Sequence, residues 1–470
     1  MRAYPDDGQV LRRVRALLPR LPHTDNVYAY SYWVLRRLVR LFPGRLEIEW
    51  DEVEDDRALL DALDLLVLPG ESQALEDTSL SLRDWFLQAK SNPDTTDLEF
   101  LIDLLEGTSF SPAARVFLFE NADLPIRYRG PGRARIELRP GRIHYQRQGI
   151  EPDRLPLASH IRRPLRRVSR GGQHAIDLAL QALCARNLEI YPLVYANPSD
   201  VVVADCGRGL GVVLIGVLPE WRSPLESLYV FLPLKNGVPL AYGPASVCLG
   251  CCETGVNLFP EFRGAETRSI YAQVMRVLHH RLGADYFLLT RYAMGEENED
   301  ALKAGSFWFY RKLGFAPTNP EVEALARGEE ARMAAEPGYR SNRRTLRRLS
   351  NTEAYLDLSG GRRRPLDLGR LGLAESRFIA ERFGGDRRLA ERRCAARIAR
   401  LLGVERKGRA LHTLAPLLSM IEDLSQWSRR DKSSLIRMLR AKDAPTETRA
   451  ARYFAAHPRF GDAVRRLAEA

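Results

Sequence analysis

The sequence predicts an α+β protein of several domains, and three observations carry that expectation. The 470-residue chain is 45% hydrophobic and 28% charged, a composition with ample material for a packed core. Apolar residues recur at helical spacing over the first hundred residues and again beyond about residue 321, whereas 201–259 is a series of β-branched runs separated by turn signals. The charge is segregated as well. Residues 331–470 carry 32 Lys+Arg against 16 Asp+Glu, while 1–330 carry 39 against 44. The basic character belongs to the last third alone, so a polyanion is a partner to consider only for 331–470.

The same arithmetic excludes other classes. No run of eighteen apolar residues exists, so no membrane span is expected. The opening MRAYPDDGQVLRRVRALLPRLP lacks the apolar core and small-residue cleavage site of a signal peptide. Six cysteines (Cys184, Cys206, Cys248, Cys251, Cys252, Cys394) are too few for a disulfide scaffold in so long a chain. A reduced, cytoplasmic protein without a metal is the expectation.

Taken in order, 24–109 reads as helical. Val27, Val34, Leu38 and Leu41 recur at spacings of three, four and seven after the cap candidates Thr24 and Asp25. A second helix is predicted over 57–68, ending at Pro69-Gly70. A third begins at the capping box Thr96-Asp97-Leu98-Glu99 and stops at Gly107. Residues 134–146 alternate on both sides of Pro140-Gly141 and predict a hairpin. The basic stretch Arg162-Arg163-Pro164-Leu165-Arg166-Arg167 marks a linker before a helix over 173–186. Four apolar runs then predict strands, with Lys235-Asn236-Gly237 the clearest hairpin loop between them. An amphipathic helix follows over 266–282, with Ile270, Val274, Val277 and Leu278 on one face and Gly283 at its end. One more strand over 285–292 precedes a helix ending in FWFYRKLGF. The expected division is a mostly helical domain (1–125), a hairpin and basic linker (126–171), a mixed β-sheet core (172–320) and an Arg-rich helical region (321–470).

Several motifs have a plainer reading than the chemistry they suggest. Asp205-Cys206-Gly207-Arg208-Gly209-Leu210-Gly211 has the glycines of a nucleotide loop. Such a loop must open a helix, and the following Val212-Val213-Leu214-Ile215 reads as a strand, so a hairpin turn is the better account. Gly70-Glu71-Ser72-Gln73-Ala74 approximates a nucleophile elbow but follows a helical run, so an inter-helix loop is expected. Cys248-Leu249-Gly250-Cys251-Cys252 has no second ligand pair. Strand alternation would place Cys248 and Cys252 on one face and Cys251 on the other, as buried filling of a sheet. His279 and His280 diverge as neighbours on a helix and are expected at or near the surface.

The specific signal lies between Val238 and Phe315. A long strand ends in Leu258-Phe259-Pro260-Glu261-Phe262-Arg263-Gly264 and runs into a helix. One strand later the chain reads Phe309-Tyr310-Arg311-Lys312-Leu313-Gly314-Phe315. Both segments, in this order, resemble the GNAT acyltransferase superfamily over about 172–320, a third of the chain. The resemblance implies a core in which the strand ending at Leu258 and Phe259 splays from strand 285–292 to admit the pantetheine arm of acyl-CoA or acetyl-CoA. A backbone N–H there would polarise the thioester carbonyl.

Arg263, Gly264, Ala265, Glu266 and Thr267 would hold the pyrophosphate, since a loop entering a helix offers unpaired N–H groups and the positive end of the dipole. Tyr310 falls on the family's tyrosine, which protonates the departing thiolate. Packing within the aromatic run 307–310 is its competing role. Glu253 stands on the same strand where some members carry a base, and burial in so apolar a strand would raise its pKa. Two departures stand out. Glu266 and Arg268 occupy positions where the family has small residues, and Lys303 replaces the usual asparagine.

The basic third shows stripes such as Leu389, Cys394, Ile398 and Leu401 framed by Arg387, Arg388, Arg392, Arg393, Arg397 and Arg400. These predict amphipathic helices whose arginines are either a solvated face or a polyanion surface. The expected function is acyl transfer from a thioester donor (acyl-CoA or an acyl carrier) to an amine. A non-catalytic GNAT-like scaffold and a nucleic-acid-associated protein are the alternatives.

Overall fold

A computed structural model describes residues 2–18, 24–76, 79–130, 138, 142–146, 156–264 and 266–469. Helices combine with a mixed sheet, as the α+β class requires. The chain forms two units: Met1–Arg147 with His174–Tyr195, and Gln148–Gln173 with Ala196–Ala470.

The first unit is helical apart from one small sheet. Strands β1 (Asp25–Tyr28), β2 (Leu46–Ile48) and β3 (Ile126–Arg129) lie in the order β1-β3-β2, all antiparallel. Asp25–Tyr28 was expected to open a helix. The helix starts only at Tyr32, because Asn26, Val27 and Tyr28 find extended partners in β3. The capping box is present: Glu99 N–H donates to Thr96 Oγ1 at 3.2 Å, and Thr96 N–H to Glu99 at 3.0 Å. Pro69 begins a helix, Pro69–Glu76, instead of ending one; its missing N–H is dispensable at that position. Ser72 therefore lies within a helix, and neither an elbow nor a loop exists there. Most of the expected hairpin at 134–146 lies outside the described residues, and residues 142–146 are not in a strand. The helix Gln173–Cys184 was expected in the core, yet it packs in the first unit. The Cys184 carbonyl accepts from Asn26 Nδ2 (2.9 Å) and Tyr30 Oη (3.0 Å), and Asp177 pairs with Arg37.

The second unit is built on an 11-stranded sheet. Its strands are β4 (Arg167–Arg170), β5 (Ala196–Gly207), β6 (Leu210–Val217), β7 (Ser227–Lys235), β8 (Val238–Pro239) and β9 (Ala241–Cys248). They continue as β10 (Cys251–Thr254), β11 (Asn257–Leu258), β12 (Tyr286–Leu289), β13 (Ala316–Pro317) and β14 (Ala354–Asp357). The order is β13-β14-β12-β10-β9-β7-β6-β5-β4, with β11 beside β9 and β8 beside β7. Every pairing is antiparallel except β10 with β12.

Three two-residue turns shape the meander: Arg208-Gly209, Asn236-Gly237 and Leu249-Gly250, each with both φ values positive. That is the hairpin turn whose twist matches its strands. The first confirms that the 205–211 glycines turn a hairpin. The third overturns the reading of one unbroken cysteine-bearing strand. Cys248 and Cys251 are direct cross-strand partners on a shared face, and Cys252 lies on the other. Leucine is a poor residue for positive φ, but the Leu249 side chain is buried among the C-terminal helices, which holds the turn.

One sheet face is covered by the helix Thr267–Leu282. Its Tyr271, Val274, Val277 and Leu278 bury against Leu214, Phe231, Val247, Cys252 and Phe287. Helices of the last third form a second core around Leu414, Leu418, Leu435, Phe454 and Phe460. This third is not wholly helical: β14 inserts between β12 and β13. A buried polar network fastens it to the sheet. Arg222 donates to the carbonyls of Lys442 (2.8 Å), Ala444 and Pro445. Asp200 accepts from Tyr229 Oη (2.9 Å) and the Glu447 N–H (2.8 Å), and Lys442 pairs with Glu447. Among the described residues no helix is long and apolar enough to cross a membrane.

Candidate active site

The parallel pair sets the geometry. β10 and β12 are matched over three positions, Cys251 with Tyr286, Cys252 with Phe287 and Glu253 with Leu288. Then their paths differ. β12 ends at Leu289, and Thr290 caps the short helix Arg291–Met294 through a bond from Ala293 N–H at 3.3 Å. The other strand continues along β9 without a register change, from Thr254 opposite Ala245 to Leu258 opposite Ala241. Gly255 and Val256 lie between these ladders, with no strand partner on the β12 side. Gly243 permits this course. A Cβ on Gly243 would sit 2.2 Å from the Gly255 carbonyl oxygen and 2.3 Å from the Phe231 ring, closer than any side chain allows.

Tyr310 reaches this gap. Gly305, at φ +69°, ends the helix Glu299–Ala304 and begins Ser306–Lys312, which buries Phe307 and Tyr310. The Tyr310 ring is held edge-on by Tyr271 and Phe315, each 5.8 Å away between centroids. Its hydroxyl lies 4.0 Å from the Cβ position of Gly255, and Ala293 Cβ lies 3.7 Å from that position. Burial pushes the phenol up to about 12, and a hydrogen bond from the Val256 backbone N–H partly offsets the shift. The two readings of Tyr310 are therefore not exclusive: the ring is core, and the hydroxyl stands at the break between two strands.

The expected donor turn is more altered. Phe259 is buried, stacks on Tyr242 at 5.7 Å and donates its N–H to the Leu240 carbonyl (3.0 Å), while Leu258 is half-buried. Pro260–Phe262 forms one 3-10 turn. Arg263 and Gly264 are exposed, and no atom crowds Gly264. Thr267 directs both N–H (3.2 Å) and hydroxyl (2.7 Å) to the Gly264 carbonyl, so it closes the turn. Ala265 lies outside the described residues. Glu266 caps the helix Thr267–Leu282 without a side-chain cap bond, and its carboxylate stands 3.6 Å from Lys235 Nζ. The Lys235 side chain is only 1% exposed, and its pKa is lowered by burial while Glu266 opposes the shift. The anion at this helix start is the chain's own carboxylate.

Glu253 occupies the sheet face opposite Cys252. It is exposed, so it is not the enclosed acid that the apolar strand suggested. Its pKa is still raised, first by the buried part of the group and then by Glu226 and Glu353. Ser246, its cross-strand partner, donates to Glu226 at 2.6 Å. No hydrogen bond joins Glu253 to Tyr310 among the described residues.

Sequence reasoning missed Val256, Lys235, Glu226 and Glu353. The first is an ordinary apolar residue whose role is its backbone, and the others come from separate segments that only the sheet assembles. The remaining suspects are structural. His279 bonds the Ala284 carbonyl (2.7 Å) and His280 the Arg163 carbonyl (2.8 Å). All six cysteines are free, and no group of three or more His, Cys, Asp or Glu among the described residues could hold a metal. Comparison with known protein families, with curated proteins and with solved structures finds no match.

Proposed function

We propose that the second unit is a GNAT-like N-acyltransferase that moves an acyl group from acyl-CoA, or an acyl-carrier thioester, directly to an amine. The observation that carries this reading is the break between β10 and β12 at Gly255-Val256, with the Tyr310 hydroxyl at that break. The order of elements from β6 to Phe315 agrees with it: antiparallel strands, a long strand, a turn into a helix, one strand, then the tyrosine-bearing helix.

In the reaction the amine nitrogen attacks the thioester carbon, the C–S bond breaks, and the ammonium proton passes to Glu253 through solvent. A raised carboxyl pKa favours that transfer. Tyr310 accepts from the Val256 N–H, which leaves its own proton available to the departing sulfur. At about 12 the phenol is a weaker acid than an ordinary thiol, whose pKa is about 8.5. Its role is accordingly to donate a hydrogen bond to the developing thiolate, with complete proton transfer uphill.

One observation favours a second reading, a GNAT-like scaffold that binds no CoA. Glu266 and Lys235 already neutralise the helix start where a pyrophosphate would sit. Thiol release from acetyl-CoA and longer acyl-CoA donors, measured over a panel of amines, tests the enzyme reading. Turnover that is lost in Tyr310→Phe supports it. Absence of both turnover and donor-induced thermal stabilisation favours the scaffold.

A further inference from the structure

The helix Arg387–Leu402 buries Ala390, Cys394, Ala395, Ile398, Ala399 and Leu402, and its opposite face is arginine. Arg388, Arg392, Arg393, Arg397 and Arg400 are all exposed there. Arg397 donates to the Ser419 carbonyl at 3.3 Å; none of the five has a carboxylate partner among the described residues. The helix's acidic residue, Glu391, is engaged by His412 at 3.1 Å. The helix Pro320–Ala335 is different, since its Arg327 pairs with Glu323 and its Arg332 with Glu336 at i,i+4 spacing.

Helix stability does not account for the arrangement. Arg387 and Arg388 fall in the first turn, where the dipole disfavours cations, and the N-cap Asp386 beside them spends its carboxylate on the Leu389 N–H (2.9 Å). Like charges at i,i+4, such as Arg388 with Arg392 and Arg393 with Arg397, repel. An anion against this face would relieve that repulsion.

We propose that this face binds the phosphate backbone of double-helical nucleic acid. Guanidinium groups suit phosphate oxygens through paired N–H donors. An anionic bilayer fits less well, because insertion needs exposed apolar side chains; Leu373 is the large hydrophobic residue with a bare side chain in this third among the described residues. Single strands fit less well too. Stacking needs exposed aromatics, but Trp427 and Phe454 are buried and Tyr453 is half-buried. The surface reads no sequence, and it is independent of the acyl-transfer proposal.

The test is fluorescence anisotropy of the full chain with short labelled duplexes of DNA and of RNA, in parallel with single strands and with phosphatidylserine vesicles. With about four phosphates engaged, duplex affinity falls by roughly 10²-fold between 50 and 200 mM salt. Replacing the five arginines by glutamine abolishes binding at the higher salt and flattens the salt dependence. Replacing Arg12, Arg13, Arg15, Arg57 and Arg83 of the first unit, an equal loss of charge, leaves it intact. All ten are exposed, and unchanged circular dichroism verifies each fold. The DNA and RNA arms show which duplex is preferred. Equal loss in the two variants, no duplex binding at low salt, or binding to vesicles alone overturns the proposal.

Discussion

The two ends of the candidate site differ although one sequence resemblance pointed to both. At the Tyr310 end, a phenol, a backbone N–H and a break between parallel strands converge. At the Glu266 end, the helix start expected to receive a phosphate faces a carboxylate, which a buried lysine balances. On the proposed reading, the difference teaches that the thioester end and the donor-anchoring end of such a site are separable. A chain can keep the first while the second is filled from within.

The largest expected effect sharpens the Tyr310 end. Tyr310→Phe keeps the ring and its edge contacts, so stability changes by at most about 1 kcal/mol for one lost hydrogen bond. Thiol release falls by about 10²-fold, the lower end for a positioned acid, with donor affinity unchanged. A steady-state comparison above neutral pH checks it. A variant that turns over like the parent makes Tyr310 a core aromatic only.

The next concerns the backbone that creates the break. Gly243→Ala puts a Cβ against the Gly255 carbonyl and the Phe231 ring. Overpacking of this kind costs about 1–3 kcal/mol, which thermal melting reports as a lower Tm. Thiol release should fall by more than the loss of folded protein explains, because Gly255 and Val256 must move.

Glu266→Gln breaks the comparison from the other end. It removes the internal anion and deprives the buried Lys235 of the Glu266 charge, so the empty protein becomes less stable. CoA, which brings phosphates to that place, should bind about tenfold more tightly, consistent with roughly 1 kcal/mol for an anion at a helix start. Calorimetry with CoA and with pantetheine distinguishes the causes, since only CoA should gain.

The smallest effect is in pH. Glu253 must be ionised to accept a proton, and its pKa is raised, so activity should rise with pH through a value above the ordinary carboxylate range. Glu226→Gln removes a neighbouring negative charge, lowers the Glu253 pKa and moves that acidic limb to lower pH. An unmoved limb would remove Glu253 from the proton path. Tyr310, at about 12, stays protonated throughout and contributes no alkaline limb near neutrality.

Much of this was legible in the residues. The capping box at Thr96, the Asn236-Gly237 turn and the strand–turn–helix course through Leu258 to Leu282 depend on local chemistry, and each stands where that chemistry puts it. The Tyr310 segment was legible because its glycine and aromatics are closely spaced. What escaped was decided by distant partners. Asp25–Tyr28 and Ala354–Asp357 are four-residue strands, too short for a period to show, and each is extended because a remote strand pairs with it. Leu249 turns a hairpin because its side chain is buried in the second core. Lys235 gave no sign of being the partner of Glu266, since thirty residues and four strands separate them.

The central claim is that a thioester enters between β10 and β12. A crystal structure with an unreactive acyl-CoA thioether tests it most directly, with Glu266→Gln as the second form crystallised. The account predicts the sulfur within hydrogen-bonding reach of the Tyr310 hydroxyl, at the break beside Gly255 and Val256. An analogue bound elsewhere, with Gly255 still packed beside Ala293 as in the free protein, would contradict it.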